Sequence, residues 1–397
     1  MSTLPTVRIA VLTPTFPTRA EPYRGLAIWS LLREMARRAE LTAYCSLPRY
    51  YPPIGQHRDF IHDEPWLESF AEVPAETLRF PAVPALTRPI NGALLAHPLR
   101  RALSDLCPDA LVAFWVHPEG DAALRASQAL DIPLTVISVG SDLKKLSPHR
   151  FIQRRARAVL SEADEVLAVS EDLCQTARQL GGERVRLLQL GIDHRLYSPR
   201  QVPRDSLDVP EGVKLILFAG RFVPLKGLPR LLDAFALLER GKWFLALAGN
   251  GSEEPGLREK VQSLGLGGSV RFLGSLPPAE VSRWMNAADL LCLPSESEGR
   301  PNVILEALSC GCPVVATPVG GIPELVQPAC GVLVSGQGPE GLASALREAA
   351  GRTWDRGAIA RIYRRPWSDV ATEVLEACAR AVARRAPSFT ETAAAPG

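Results

Sequence analysis

Two carboxylates and two cations in the second half of the chain have the types and spacing of a ligand site. Glu298 and Glu306 stand eight residues apart in the segment SESEGRPNVILE, Ser295 to Glu306. Pro301 suits the first position of a helix. The spacing therefore predicts Glu298 in the preceding loop and Glu306 about a turn further in, both able to reach one ligand from different heights. A carboxylate accepts two vicinal hydroxyls well, as a sugar or a ribose presents them, and the free N–H groups of the helix start offer an anion cradle. Glu306 lies between Val303-Ile304-Leu305 and Ala307-Leu308, and a Glu buried on so apolar a helix needs a partner or a ligand. Arg221 and Lys226 share one short strand-to-helix loop, GRFVPLKG. Two cations beside a helix N-terminus suit a diphosphate. Taken singly, the loop can also be a solvated basic turn, and Glu298 a surface charge.

Several other chemistries are excluded or disfavoured. The first strand, Val7 to Leu12, runs into Thr13-Pro14-Thr15-Phe16-Pro17 with no glycine before Gly25, so no G-x-G-x-x-G dinucleotide loop follows it. The Gly220–Gly227 loop has one glycine ahead of its lysine and is not a Walker loop. Cys310-Gly311-Cys312 is the one close cysteine pair, and without a second pair it reads as buried thiols rather than a metal knuckle. No metal ligand set and no cofactor is expected. The chain of 397 residues carries 45 Lys plus Arg against 43 Asp plus Glu, a net +2 with no basic block, which argues against a nucleic-acid partner. No apolar run approaches the roughly 20 residues that span a bilayer. The first residues lack a basic n-region and a small-residue cleavage site. Cytoplasm is the expected location, and sparse, unframed cysteines agree with a reducing compartment.

The elements that must position these residues alternate from end to end. Apolar runs at Val7 to Leu12, Ala110 to Phe114, Leu134 to Ser138 and Glu165 to Val169 read as buried strands. Leu26 to Arg38, Asp121 to Leu130 and Glu171 to Leu180 read as helices. Tyr197 to Val213, with three prolines, reads as an interdomain linker. The rhythm then restarts with strands at Leu215 to Ala219, Phe244 to Ala248, Val270 to Leu273, Leu290 to Leu293 and Pro313 to Ala316, and helices between them. This is the pattern of two doubly wound α/β units with parallel sheets. The expected boundaries are 1–200, 201–365, a closing helix at 366–385 and a disordered tail from Ala386 to Gly397.

Arg221 to Gly227 with the following helix, Gly249-Asn250-Gly251, Val270 to Gly274, Ala288-Asp289, Glu298 through Thr317 and Val319-Gly320-Gly321-Ile322-Pro323-Glu324 together resemble the nucleotide-sugar-binding half of family 4 retaining glycosyltransferases. The order and spacing match over roughly residues 214–335. Thr15-Phe16-Pro17 with Gly25, Gly140-Ser141-Asp142, Ser161 through Ser170 and Leu190-Gly191-Ile192-Asp193 resemble the first half. The opening fifty residues and the Trp115–Gly120 region look most like the teichuronic-acid-type branch, which builds cell-envelope polysaccharides. The resemblance implies a GT-B fold, two Rossmann-like domains facing across a cleft.

It also implies roles. Arg221 and Lys226 would hold the donor diphosphate, Glu306 the ribose hydroxyls and Glu298 a hydroxyl of the donor sugar. Gly25 would let the first-domain backbone approach the phosphates, with Gly251, Gly299, Asn302 and Val303 also at the donor. A UDP- or GDP-linked sugar is the expected donor and a glycan or lipid-linked glycan the expected acceptor. With no D-x-D pair and no carboxylate marked as a covalent nucleophile, the resemblance implies metal-free, same-face attack.

Departures from the family pattern are local. Glu298-Gly299-Arg300-Pro301 stands where many relatives carry Glu-Gly-Phe-Gly, and Val139 replaces a His or Arg common before Gly-Ser-Asp. The family's donor-contacting histidine has no clean match. His117 is the candidate, with a solvent-facing or acceptor-pocket histidine as the alternative. The basic run His149 to Arg157 can lie on anionic lipid at the inner face of the membrane or form a solvated helix face. Trp66 to Leu86 reads as an acceptor-side excursion, and Trp367 opens a helix that would cross back to the first domain. The competing readings are a non-catalytic nucleotide-sugar-binding subunit and a nucleotide-sugar epimerase of the same architecture.

Overall fold

The computed structural model describes residues 7–19, 21–50, 64–84, 86–336 and 338–385. The expected tail from Ala386 lies outside the described residues. The first unit runs β1 (Arg8–Thr13), α1 (Leu26–Ala36), β2 (Glu40–Tyr50), β3 (Ala75–Ala82), α2 (Asn91–Leu106), β4 (Ala110–Phe114) and α3 (Asp121–Leu130). It continues through β5 (Leu134–Ser138), α4 (Ser141–Lys144), α5 (Arg150–Glu162), β6 (Glu165–Ala168), α6 (Glu171–Gln179) and β7 (Val185–Leu187). The second runs β8 (Lys214–Ala219), α7 (Leu228–Ala236), β9 (Trp243–Ala248), α8 (Glu254–Ser263), β10 (Val270–Gly274), α9 (Pro278–Ala287) and β11 (Leu290–Leu293). After these come α10 (Asn302–Ser309), β12 (Val314–Ala316), α11 (Ile322–Leu325), β13 (Gly331–Leu333), α12 (Gly338–Gly351), α13 (Arg356–Ile362) and α14 (Trp367–Arg385).

The strands form two parallel sheets, β3-β2-β1-β4-β5-β6-β7 and β10-β9-β8-β11-β12-β13. Central strands such as ALVAF of β4 and LTVIS of β5 are buried at every position, because helices cover both faces. In each sheet the strand order reverses beside the first strand. β1 pairs with β2 and β4 (Ile9 opposite Leu41 and Ala110), and β8 with β9 and β11 (Ile216 opposite Leu245 and Leu290). Open α/β sheets bind ligands at the carboxyl ends of such strands.

Three departures from the sequence reading have clear causes. The Trp66 to Leu86 segment is not merely an excursion: it contains β3, the edge strand of the first sheet. Leu78, Phe80 and Ala82 point inward there while Arg79 and Pro81 stand exposed, a period-2 pattern with its proline on an edge strand. The Tyr197 to Val213 segment is no free linker. Tyr197, Leu207 and Val209 are buried, and the Arg204 fork donates to the Ala287 carbonyl at 2.9 Å and to Asp289 at 2.7 Å, fastening the segment to the second domain. Pro301 is the N-cap of α10, which begins at Asn302.

After the second sheet the chain returns. Trp367, Val370, Val374 and Cys378 of α14 pack with Ile9, Val11, Leu32 and Phe114 of the first unit. Arg385 donates to Asp164 at 2.7 Å. Cys310 and Cys312 are buried thiols, pushed up to about 11 and about 12 by burial.

Candidate active site

The loops that follow β8 and β11 meet at the reversal point of the second sheet. Lys226 ends the short turn Pro224–Lys226, and its Nζ lies 2.6 Å from Oε1 of Glu298. The same oxygen accepts from Ser295 Oγ at 2.7 Å. The pair is shielded rather than sealed, with side-chain exposures of 22% and 11%.

Backbone contacts fix both loops. Glu296 N donates to the Leu225 carbonyl at 2.8 Å, Arg230 Nη2 to Pro294 O at 2.6 Å, Gly321 N to Gly299 O at 2.8 Å, and Thr317 Oγ1 to Ser295 O. Gly227, at φ 64°, sits so close to the β11 loop that a Cβ would lie 2.2 Å from Pro294 O. Gly251 packs its backbone against the same region, since a Cβ there would lie 2.3 Å from Phe222 O. Arg221, at the β8 exit, is exposed and its side chain has no hydrogen bond or ion pair among the described residues.

The other residues singled out in the sequence are distributed around this pair. Gly25 opens α1 with φ 75°, and its backbone lies against Thr15. Gly299 meets the first domain directly: a Cβ would fall 2.4 Å from Val139 O and 2.7 Å from Gly140 Cα. Asn302 and Val303 open α10, and Asn302 Oδ1 is buried with no partner among the described residues. Glu306 does not join Lys226 and Glu298 in a hydrogen bond. It accepts from the Tyr197 hydroxyl, while burial outweighs that bond and pushes its carboxyl up to about 7.

His117 lies on the other side of the cleft, in the loop after β4. It lines a first-domain cavity of about 450 Å³ together with Trp115, Ser141 and Asp142. Burial, the largest influence, lowers its pKa from the ordinary imidazole value, and nearby Asp121 opposes this.

Sequence reasoning missed a bridge between the domains. Arg300, which interrupts the family pattern, pairs with Glu324 at 3.0 Å and lies over the Tyr363 ring at 5.7 Å. The other oxygen of Glu324 accepts from the backbone N of Glu171, at the start of α6 in the first domain, at 2.9 Å. The signal was present as an unusual Arg followed by the Pro323-Glu324 motif, but only the fold brings them together. Ser46 donates to buried Glu119 at 2.7 Å, and burial pushes that carboxyl up to about 7. Nothing in the spacing of Ser46 and Glu119 marked them as a pair.

Loops at paired carboxyl ends that hold Lys226 against Glu298 beside Arg221 suit a sugar-nucleotide site, and comparison with known proteins decides the family. Residues 200–351 match the family described as Glycosyl transferases group 1, and residues 25–193 the Glycosyl transferase 4-like domain. A D-inositol 3-phosphate glycosyltransferase of Jonesia denitrificans is 35% identical over 298 residues, 66% of this chain and 69% of the relative. The chain belongs to the group 1 glycosyl transferases. As a group 1 glycosyltransferase it uses a nucleotide sugar.

TuaC of Bacillus subtilis, named for teichuronic acid biosynthesis, is 27% identical over 356 residues, 86% of this chain and 88% of the relative. The fold is that of HepE from Anabaena, solved in complex with UDP-glucose (24% identity, TM-score 0.71, 94% of this chain and 99% of that one). It is also that of WaaG, a glycosyltransferase involved in lipopolysaccharide biosynthesis (20%, TM-score 0.62, 93% and 95%). The two sheets are thus the two Rossmann-like domains of a GT-B glycosyltransferase. Among the described residues no helix is long and apolar enough to cross a membrane.

Proposed function

We propose that this glycosyltransferase is retaining and metal-independent, moving a sugar from a UDP- or GDP-linked donor to a glycan or lipid-linked glycan in cell-envelope or exopolysaccharide synthesis. The observation that carries the reading is the Lys226–Glu298 pair at the β8/β11 reversal, one residue from the Gly299 contact with the first domain. A donor entering the cleft exchanges partners with this pair. Lys226 turns from Glu298 to the diphosphate, joined by unpaired Arg221, and the freed Glu298 accepts a sugar hydroxyl.

Lys226 and Arg221, once drawn onto the bound diphosphate, stabilise the charge that develops on it as the bond breaks. The acceptor attacks the face the diphosphate leaves, and the departing phosphate oxygen takes the acceptor's proton. Glu306 holds the ribose hydroxyls, whose donated hydrogen bonds favour its charged form against the burial that disfavours it. The match with TuaC supports an envelope-polysaccharide acceptor, and UDP-glucose in HepE makes UDP the first nucleotide to test. The α5 face bearing exposed Arg150, Phe151, Arg154 and Arg157 supports peripheral contact with anionic lipid.

The test is calorimetric binding of UDP, GDP, ADP and TDP sugars with and without chelator, followed by NMR assignment of the product anomer. Binding of one nucleotide family unchanged by chelator, with the donor's anomeric configuration kept, is expected. An inverted product refutes the same-face mechanism, and binding abolished by chelator refutes the metal-independent site.

A further inference from the structure

Arg300 carries a full charge into the domain interface with its side chain only 3% exposed. A charge so buried needs a paired, hydrogen-bonded partner, and Glu324 supplies one at 3.0 Å from Nη1. The Tyr363 ring lies 5.7 Å from the guanidinium, and the Tyr363 hydroxyl donates to the Leu190 carbonyl. Glu324 is not used up by this pair. Its other oxygen leaves the second domain and accepts at 2.9 Å from the Glu171 N–H, the first amide of α6. An N–H at a helix start has no partner inside the helix, and the helix dipole there favours a carboxylate. Gly321 allows the approach, since a Cβ on it would lie 2.7 Å from Ser170 Cβ.

Chain order ties this bridge to the donor loop. Glu298, Gly299 and Arg300 are consecutive. The carboxylate paired with Lys226, the backbone packed on Val139 and Gly140, and the cation that fixes Glu324 therefore move as one piece. Gly321 N donates to Gly299 O at 2.8 Å and closes the same loop onto the turn that bears Glu324. We infer that Glu324 and Arg300 are positioning residues of the transfer reaction, a latch that holds the first domain shut over the donor loop. Glu324 clasps α6, and Arg300 keeps Glu324 aimed at it. They act through the placement of the first domain over Glu298, not through contact with the donor. The inference deepens the proposed reaction and rests on reading the Lys226–Glu298 pair as the donor site.

Glu171→Pro removes the first-domain half of the latch alone. Proline is favoured at the first helical position, and Ser170, extended at φ −146° and ψ 157°, has the backbone that precedes a proline, so α6 persists. Glu324 stays paired with Arg300 in this variant, and no buried charge is stranded. The lost Glu171 side chain gives up only an exposed ion pair with Arg178. Loss of one charge-assisted hydrogen bond lowers the closed-to-open ratio by about 10–100-fold. In the full chain, kcat is expected to fall at least about threefold, and the UDP Kd from calorimetry to stay within about threefold of the parent protein.

Glu324→Gln cuts the bridge from the other side. Its amide has one acceptor atom where the carboxylate has two, and the buried Arg300 takes it. The Glu171 N–H is then expected to exchange with deuterium at least about tenfold faster. The Leu173 N–H, which donates to Ser170 Oγ at 3.3 Å inside the first domain, is expected to keep its rate. E171P/E324Q is expected to turn over no more slowly than E171P, because both changes cut one latch. A smaller loss of kcat in E171P, an equal loss of UDP affinity, or losses that multiply in the double variant overturns the proposal. So does an unchanged rate at Glu171, or a rate at Leu173 that rises with it. Exchange needs no nucleotide: a latch signature in a parent protein that binds no UDP sinks the donor reading alone, and UDP binding without the signature sinks this one alone.

Discussion

Lys226→Ala separates what this lysine does for the fold from what it does for the reaction. In the resting protein it holds Glu298 at 2.6 Å in a pair whose side chains are 22% and 11% exposed. Exposed pairs contribute about 0–1 kcal/mol, and stranding one partner of a fully buried pair costs about 3–5 kcal/mol. Glu298 keeps its bond from Ser295, so the cost falls in between, about 1–2 kcal/mol. At about 2–4 °C per kcal/mol for a domain of this size, Tm drops by roughly 2–8 °C and the fold persists.

The catalytic loss is larger. Removing a preorganised group that stabilises developing charge typically costs about 10²–10³ in rate. The expected outcome is kcat/KM down by about that factor, carried mainly by kcat, in a protein whose circular dichroism at 25 °C is unchanged. Steady-state nucleotide release, with thermal unfolding on the same samples, measures both. Turnover within tenfold of the parent protein would refute the assignment of Lys226 to the leaving diphosphate.

Glu306→Ala should weaken free UDP and UDP-sugar alike, by about 10–100-fold, whereas Glu298→Ala should spare free UDP; isothermal titration reveals the reverse pattern if the roles are exchanged. Glu119 is 3% exposed and pushed up to about 7, above its ordinary 4.5, so the folded state binds more protons than the unfolded one between those values. Its contribution is therefore fully present below about pH 4.5 and lost as pH rises through 7, a penalty of order 3 kcal/mol at pH 8. Glu119→Gln should accordingly raise stability at pH 8 relative to pH 5, as urea unfolding at the two pH values would report. Gly299→Ala should push the domains apart, because its Cβ meets Val139 O at 2.4 Å; small-angle scattering should show a larger radius of gyration and assays a loss of about tenfold or more in kcat/KM.

Much of the scaffold is written in local patterns. Short continuous apolar runs such as Ala110–Phe114, bounded by breakers, read as strands covered on both faces, and their alternation with helices favours parallel sheets. Charged residues at strand entrances were legible as motif members but not as to purpose. Asp289 accepts from Leu215 N at 2.7 Å and Asp164 from Leu134 N at 2.8 Å, each tying the start of a strand. The β3 edge strand escaped notice because its period-2 pattern is short and crossed by Pro81.

The sequence by itself determined two α/β units and placed Arg221, Lys226, Glu298 and Glu306 on loops and a helix start, since strand exits and helix caps are set by neighbours in the chain. Which of these groups touch was decided by the tertiary structure. Lys226 reaches Glu298 because β8 and β11 lie side by side, a pairing across 72 residues that no local pattern encodes. Glu306 turns to Tyr197, and Arg300 finds Glu324, for the same reason: a buried charge takes whichever partner the packing of distant segments brings within hydrogen-bond reach. The cavity lined by Arg88, Lys145 and His117 belongs wholly to the fold, because separate segments converge only once the first sheet has formed.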